Sequence, residues 1–332
     1  MVNVITDDTV TMDAVHGKTI AVIGYGAQGR AQSLCMKDSG LTVIVGVRKG
    51  GPSWNQAVQD GMEVMTMAQA AQQGDVIHLL IPDEYQKEVY DVHIRGSIAP
   101  GNVLAFSHGF NVVYNQIVPP KGVDVIMIAP KSPGTEERLR YEEGFGVPAL
   151  VAVYTNASGS ARDIALAMAK ACGFTRAGVL ECTFEDETYE DIFGEQCVLC
   201  GGIVELIKTG FEVLVEAGYP PEMAYFECLH EMKLIVDLIQ KGGLSLMWDV
   251  VSNTAEYGGR TRGGKIITTD TRNAMKDILR DVENGTFARE WIAERKGELV
   301  NLKRMREEEL QHPIEIVGRK VRALFTDPDP QE

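Results

Sequence analysis

The chain of 332 residues is longer than one ordinary domain, and its 45% apolar content with 7% aromatics predicts a sizeable aliphatic core divided over two domains. A formal net charge of −15, with 32 basic residues forming no dense run, argues against a nucleic-acid surface and leaves small molecules as the expected partners. No apolar stretch approaches the roughly 18 residues of a membrane span, and the start MVNVITDDTV lacks the basic-then-apolar plan of a signal peptide, so a cytoplasmic protein is expected.

From Lys18 to about Cys182, short β-branched runs alternate with helical stretches: TIAVIG, LTVIVGV, DVIHLLIP, NVLAFSHG, DVIMIAP and ALVAVY. Such alternation predicts a doubly wound parallel sheet of the Rossmann type over residues 1–182. From about Phe184 the strand runs stop and long apolar-periodic segments follow, predicting an all-helical domain over 183–327. Pro328 and Pro330 mark a tail at 328–332. The six cysteines, at 35, 172, 182, 197, 200 and 228, show no disulfide framework. Cys197 and Cys200 form a C-x-x-C without a second pair or a paired histidine, and read as packing residues.

The first chemical motif is Gly24-Tyr25-Gly26-Ala27-Gln28-Gly29, directly after the strand TIAVI and opening the helix RAQSLCMKDSG. Its glycines suit a tight turn, close approach of backbone N–H groups to a pyrophosphate, and tight helix–strand packing. A dinucleotide cofactor is therefore expected there. The second strand lacks the terminal acid that grips an NAD ribose and leads instead into Arg48-Lys49-Gly50-Gly51-Pro52-Ser53. On charge grounds Arg48 and Ser53 favour the 2′-phosphate of NADP(H), with NAD(H) as a secondary cofactor; a solvated surface turn is the alternative.

Ligands bind at the carboxyl ends of strands in such sheets. That edge brings forward Pro82, Asp83 and Gln86 after the third run, His108 after the fourth, and Lys131, Pro133 and Gly134 after the fifth. By physics alone His108 reads equally as a site residue or a capped loop residue, and Lys131 does not exceed a surface charge.

In the helical half, Asp191 with Glu195 and Glu227 with Glu231 stand at i,i+4 in apolar context, which puts each pair on one helix face. Four carboxylates suit hard divalent cations such as Mg²⁺. Carboxylates near a core are costly unless neutralised, which favours metal ligation over solvated helix faces. His230 falls on neither acidic face and reads as packing or surface.

In combination these residues resemble the ketol-acid reductoisomerase (acetohydroxyacid isomeroreductase) family, in its short class. The resemblance runs nearly the whole length through GKTIAVIGYGAQG, VRKGGPSW, LLIPDE, AFSHGFN, MIAPKSPG, YEEGFGVPALVAV, ETYEDIFGEQCVLCGG, YFECLHEMKLIVDLI and VSNTAEYG. It implies conversion of 2-acetolactate or 2-aceto-2-hydroxybutyrate in valine, leucine and isoleucine synthesis: an alkyl migration, then reduction by NADPH to a 2,3-dihydroxy acid. It further implies two Mg²⁺ on Asp191, Glu195, Glu227 and Glu231, with Ser252 holding the substrate. Glu231 is implied as the group handling the hydroxyl proton, with His108 and Lys131 ordering the cofactor side. A knotted helical domain and a homodimer, or a larger assembly of dimers, complete the expectation, with Glu227, Glu231 and Ser252 supplied by the partner subunit. Ala27 and Arg30 stand where the family leads one to expect Ser and His, Gly259-Arg260-Thr261-Arg262 stands where an acid and an aromatic are expected first, and Leu246-Met247-Trp248-Asp249 is also unusual. Two rival readings stand beside it: an NADP-dependent 2-hydroxyacid or 3-hydroxyacid dehydrogenase that shares the first domain and lacks the isomerase step, and a non-catalytic dinucleotide sensor, against which the acidic quartet argues.

Overall fold

The computed structural model of the chain describes residues 3–325, so the tail at 328–332 lies outside the described residues. The chain divides into two compact units between Glu190 and Asp191.

The first unit holds eight strands: β1 (Thr19–Ile23), β2 (Thr42–Gly46), β3 (Glu63–Met65), β4 (Val76–Leu79), β5 (Val103–Phe106), β6 (Asp124–Pro130), β7 (Ala149–Thr155) and β8 (Val179–Cys182). They form one sheet in the order β3-β2-β1-β4-β5-β6-β7-β8. Helices α1 (Ala27–Asp38), α2 (Pro52–Gln59), α3 (Met67–Gln73), α4 (Asp83–Val89), α5 (Phe110–Val113), α6 (Gly134–Glu142), α7 (Ala161–Ala171) and α8 (Phe174–Ala177) fill the connections. The chain builds outward from β1 to β3, then returns to the other side of β1 at β4. That reversal creates the crevice where doubly wound sheets bind ligands.

The central strands are covered on both faces, which is why they read as unbroken apolar runs rather than alternating ones. Ile20 and Val22 of β1, with Val103 and Ala105 of β5, enter one buried cluster. Their neighbours Ala21, Ile23, Leu104 and Phe106 enter the other. Each fully buried aliphatic or phenyl side chain contributes about 1.5–3 kcal/mol of transfer free energy.

The sheet departs from an all-parallel one at a single join: β6 and β7 are antiparallel, pairing Pro130 with Ala149. The excursion from 131 to 148 leaves and returns at the same sheet edge, where Lys131 N–H donates to the Pro148 carbonyl at 2.9 Å. Helix α6 therefore does not carry the chain across the sheet, and β7 must run backwards. The sequence runs also omit β3, only three residues long, and β8.

The second unit begins within α9 (Phe184–Gly194) and continues through α10 (Gly201–Glu216), α11 (Pro221–Tyr225), α12 (Met232–Val250), α13 (Asn253–Ile266), α14 (Thr269–Glu283), α15 (Thr286–Lys296), α16 (Val300–Gln311) and α17 (Pro313–Arg322). A small core of Phe211, Ala224, Tyr225, Ile314 and Val321 joins α10, α11 and α17. Two π-helical stretches interrupt the helices, Glu195–Leu199 and Phe226–His230. In each, an N–H skips to the carbonyl five residues back: Cys200 to Glu195 at 3.0 Å and Glu231 to Phe226 at 3.2 Å. Such widened turns occur frequently at functional sites.

Candidate active site

The glycine-rich turn forms as its spacing predicts. Gly24 has φ +109°, and a Cβ there would lie 2.4 Å from the Leu80 carbonyl oxygen, so only glycine fits. At Gly29 a Cβ would meet the Gly24 carbonyl oxygen at 2.5 Å, which seals α1 against the turn. Gly26, by contrast, has nothing within 4 Å of its Cβ position and caps α1 without a side chain. The first-turn amides of α1 thus have open approach for an anion, favoured by the helix dipole. Around this turn the side chains brace it: Gln28 Nε2 donates to the Ser132 carbonyl at 2.9 Å, and the Tyr25 hydroxyl donates to Asp60 Oδ2 at 3.0 Å.

After β2, Gly51 N–H donates to the Arg48 carbonyl at 3.1 Å, and Gly50 takes φ +73° to close the turn. Arg48 is exposed and Ser53 half-buried in the first turn of α2. After β4, Pro82 caps α4, Asp83 opens it, and Gln86 is only 4% exposed. The Gln86 amide donates to the Ile81 carbonyl and to Asp83 Oδ1, both at 3.0 Å, and accepts from Asn111 Nδ2 at 3.1 Å. Gln86 thereby braces the strand-end loop. Gly134 packs its backbone on α1, where a Cβ would lie 2.4 Å from the Ala27 carbonyl carbon.

His108 and Lys131, from different strand ends, meet at one carboxylate. Glu187 of α9 has a side chain 1% exposed; Lys131 Nζ donates to its Oε1 at 3.0 Å, and His108 Nδ1 lies 3.1 Å from its Oε2. Gly109 N–H donates to the same oxygen at 3.3 Å. Burial pushes the Glu187 carboxyl up, but hydrogen bonding and charge from His108 and Lys131 outweigh it and hold the group below the usual carboxylate range. The carboxylate stays ionised and fixes the orientation of both partners. A Cβ on Gly109 would sit 2.2 Å from Thr188 Oγ1, so glycine is what lets α9 approach the His108 loop.

Sequence reasoning missed Glu187. The signal was present: Glu187, Asp191 and Glu195 continue one i,i+4 ladder, but Glu187 is camouflaged by Glu185, Asp186 and Glu190 around it. Asp191 lies one turn beyond Glu187 on the same helix and is half-buried; Glu195 is exposed at the start of a π stretch. Glu227 and Glu231 are also exposed, on and just after the second π stretch. The expectation that the cost of burial drives these acids to bind a cation is thus corrected: in the single chain three of the four are solvated. What remains in favour of a cation is their oxygen-only chemistry and the widened helices that carry two of them. Ser252 stands at the N-cap of α13, its Oγ accepting Ala255 N–H at 3.2 Å. His230 packs edge-on to Phe226 at 5.3 Å and beside Phe325 at 5.7 Å. The two unusual segments of this unit pack on each other, with the Arg260 guanidinium 4.9 Å from the Trp248 ring centre. All six cysteines are free thiols.

Comparison with known proteins places this geometry. Residues 14–178 match the family model for the acetohydroxy acid isomeroreductase NADPH-binding domain, and residues 184–327 match that for the ketol-acid reductoisomerase C-terminal domain. The chain is 58% identical over 323 residues to a ketol-acid reductoisomerase (NADP(+)) of Akkermansia muciniphila, covering 97% of this chain and 99% of that protein. It is 57% identical over 327 residues to a ketol-acid reductoisomerase (NAD(+)) of uncultured archaeon GZfos26G2, covering 97% and 98%. The solved structure of an NADH-preferring ketol-acid reductoisomerase from an uncultured archaeon superposes with a TM-score of 0.95 at 56% identity, over 98% of this chain and all of that one.

Proposed function

Because the chain belongs to the ketol-acid reductoisomerase family, NAD(P)-dependent oxidoreductases of branched-chain amino-acid synthesis, we propose that it takes 2-acetolactate or 2-aceto-2-hydroxybutyrate through an alkyl migration and a reduction to the 2,3-dihydroxy acid. The observation that carries this reading is the Lys131–Glu187–His108 cluster at the strand ends, one helical turn before Asp191. A dehydrogenase lacking the isomerase step has no use for the acidic ladder that continues from it.

In this reading the turn Gly24–Gly29 cradles the cofactor pyrophosphate, while Arg48 and Ser53 receive the 2′-phosphate of NADPH. Pro82, Asp83, Pro133 and Gly134 form the cofactor side of the crevice, with Gln86 bracing it. Relatives of nearly equal identity are named for NADP(+) and for NAD(+), so global similarity does not decide the cofactor; what supports NADPH, with NADH as a secondary cofactor, is the charge of the Arg48–Ser53 loop. His108 and Lys131 orient the reacting end of substrate and cofactor, held by Glu187. Asp191, Glu195, Glu227 and Glu231 are the oxygen donors for two Mg²⁺, and Ser252 binds the substrate carboxylate. Bound there, divalent cations supply polarisation of the substrate oxygens and stabilisation of developing negative charge. Glu231 accepts the hydroxyl proton as migration begins. A bound nicotinamide cofactor would supply the hydride for the keto carbon, and the residues of the crevice would have to hold the two at near-attack distance.

We place Glu227, Glu231 and Ser252 in a site completed by a second copy of the chain. What supports a homodimer is the second unit's exposed apolar surface, including Leu199, Val213, Leu234, Leu244, Ile266 and Val300, each more than half accessible in the single chain. No helix among the described residues is long and apolar enough to cross a membrane, and a cytoplasmic location fits the substrates.

NADPH consumption with 2-acetolactate, with and without Mg²⁺, tests the reading alongside Asp191→Asn and Glu227→Gln. Metal-dependent turnover that both variants abolish is expected. Turnover in the presence of chelator, or near-normal rates in both variants, overturns the dimetal assignment.

A further inference from the structure

Asp60, just past the end of α2, is the hub of a cluster that none of the chemistry above uses. The Tyr25 hydroxyl reaches its Oδ2 at 3.0 Å. Arg30 grips it with a fork, Nε to Oδ2 at 2.6 Å and Nη2 to Oδ1 at 3.0 Å, and Gln56 Nε2 adds a bond to Oδ1 at 3.1 Å. Three elements converge on one carboxylate: the glycine-rich turn, the first turns of α1, and α2. We propose that Asp60 is a positioning residue for the cofactor, clamping the glycine-rich turn to α2 so that the turn is preformed for the pyrophosphate. This rests on the reading of Gly24–Gly29 as the pyrophosphate cradle.

The physical need is specific. Tyr25 is flanked by Gly24 and Gly26, residues with the most backbone freedom to lose on ordering, so a turn built from them is loose unless something holds it. On one side Gly24 is hemmed by the Leu80 carbonyl and the Ile81 side chain. Toward Gly26 the backbone is open, and Tyr25, 5% exposed, is the one side chain of the turn's first half that can peg it. Its hydroxyl ends on Asp60. Arg30 ties the same carboxylate to the helix whose N-terminal amides face the cradle, and charge-assisted, forked bonds of this kind are the stiffer sort. With Arg30 hydrogen-bonded beside it, the Asp60 carboxyl is held below the usual range and stays charged at neutral pH.

Arg30 also has an obvious competing role, as a cation for the 2′-phosphate. Its two forked donors are already committed to Asp60, which argues for bracing. The two roles differ in outcome. A clamp acts on the part of the cofactor that NADPH and NADH share; a 2′-phosphate ligand acts on NADPH alone.

The test is steady-state kinetics on the full-length enzyme, measuring KM for NADPH, for NADH and for 2-acetolactate, together with kcat and the melting temperature. Asp60→Ala is expected to raise both cofactor KM values by a similar factor, about tenfold or 1.4 kcal/mol. The acetolactate KM and the kcat at saturating cofactor stay within about twofold of wild type, as expected for loss of preorganisation rather than of chemistry. Tyr25→Phe, which removes one oxygen, moves both cofactor KM values the same way by less, and it carries the test if Asp60→Ala fails to fold. Arg30→Lys, keeping charge without the fork, recovers part of the loss seen in Arg30→Met. Cofactor KM values unchanged in both Asp60→Ala and Tyr25→Phe overturn the clamp. So does a rise confined to NADPH, which assigns Arg30 to the 2′-phosphate. Ala27→Asp tests the cradle independently: a carboxylate at the first helical position is tolerated by α1 but opposes a pyrophosphate. If it leaves both cofactor KM values unchanged, the cradle reading fails and the clamp with it; if it raises both while Asp60→Ala does not, only the clamp fails.

Discussion

The two units solve the problem of holding acids in opposite ways. In the first, a carboxylate is taken out of water and fully partnered: Glu187 meets Lys131, His108 and a backbone N–H, and its helix is pressed on Gly109. In the second, Glu195, Glu227 and Glu231 stand in solvent on widened helical turns, and apolar side chains around them are uncovered. Burial and partners fix the one acid, whereas the other three stand exposed in the single chain.

The largest effect should come from leaving the second unit uncovered. Leu234→Glu combined with Val213→Glu places charge on exposed apolar positions of the second unit, and buried unpaired charge at an interface costs several kcal/mol. Sedimentation should show a folded monomer, and activity should be lost with it. A fully active monomer would break the comparison at its root, because the second unit would then need no partner.

Next in size is the preorganised side. Glu187→Gln removes the charge that holds Lys131 and His108 while keeping the shape. Loss of an orienting carboxylate of this kind typically costs about 10–100-fold in activity. The drop should fall on kcat with the cofactor KM little changed, as read in steady-state assays with 2-acetolactate. An equal rate in Glu187→Gln would make the cluster merely structural.

What could be read from the amino acids divides along the same line. The strand runs, the glycine turn and the change to helices at Phe184 are local signals, set by side-chain periodicity and by turns that only glycine can make. The reversed β7 was not legible, because its direction depends on where the excursion through α6 comes back to the sheet. Glu187 was hidden for a similar reason. Nothing in the run Glu185 to Asp191 says which acid turns inward until His108 and Lys131 are placed by β5 and β6. The π stretches were likewise invisible, since the acids keep their i,i+4 spacing while the backbone bonds slip by one residue. Arg30 stood out only as a departure from the family; Asp60, thirty residues away, supplies its reason.

A second buried carboxyl sharpens the contrast within the first unit. Glu137 of α6 is 1% exposed like Glu187, yet neither of its oxygens has a hydrogen-bond partner among the described residues. Burial alone pushes it up to about 8. Between the ordinary carboxylate range and pH 8 the folded chain therefore keeps a proton that the unfolded chain has released. Stability present at low pH is lost as pH rises through that window, up to about 5 kcal/mol, and then levels off. Glu137→Met should melt higher than the parent, with the gap in melting temperature widening from pH 5 to pH 8. A gap that stays constant would mean the carboxyl finds a partner in solution.

The smallest effect concerns the edge of the crevice, where solvent screens what the interior does not. Arg48 is exposed, so a contact with a 2′-phosphate there would be worth little more than a charge-assisted bond at a surface. Arg48→Ala with Ser53→Asp should lower the preference for NADPH over NADH about tenfold, through the NADPH KM and with kcat retained. Added salt should shrink the wild-type preference in the same direction, because a phosphate contact at this exposed loop would be screened more than a pyrophosphate held by backbone amides. The loop variants and the Asp60 variants thus move along different axes. A change in the ratio of the two cofactors marks contact with the 2′-phosphate; a parallel loss of both marks slackening of the turn. If Arg48→Ala weakens NADPH and NADH alike, the loop is acting on the turn's geometry, and NADP selectivity must come from elsewhere in the first unit.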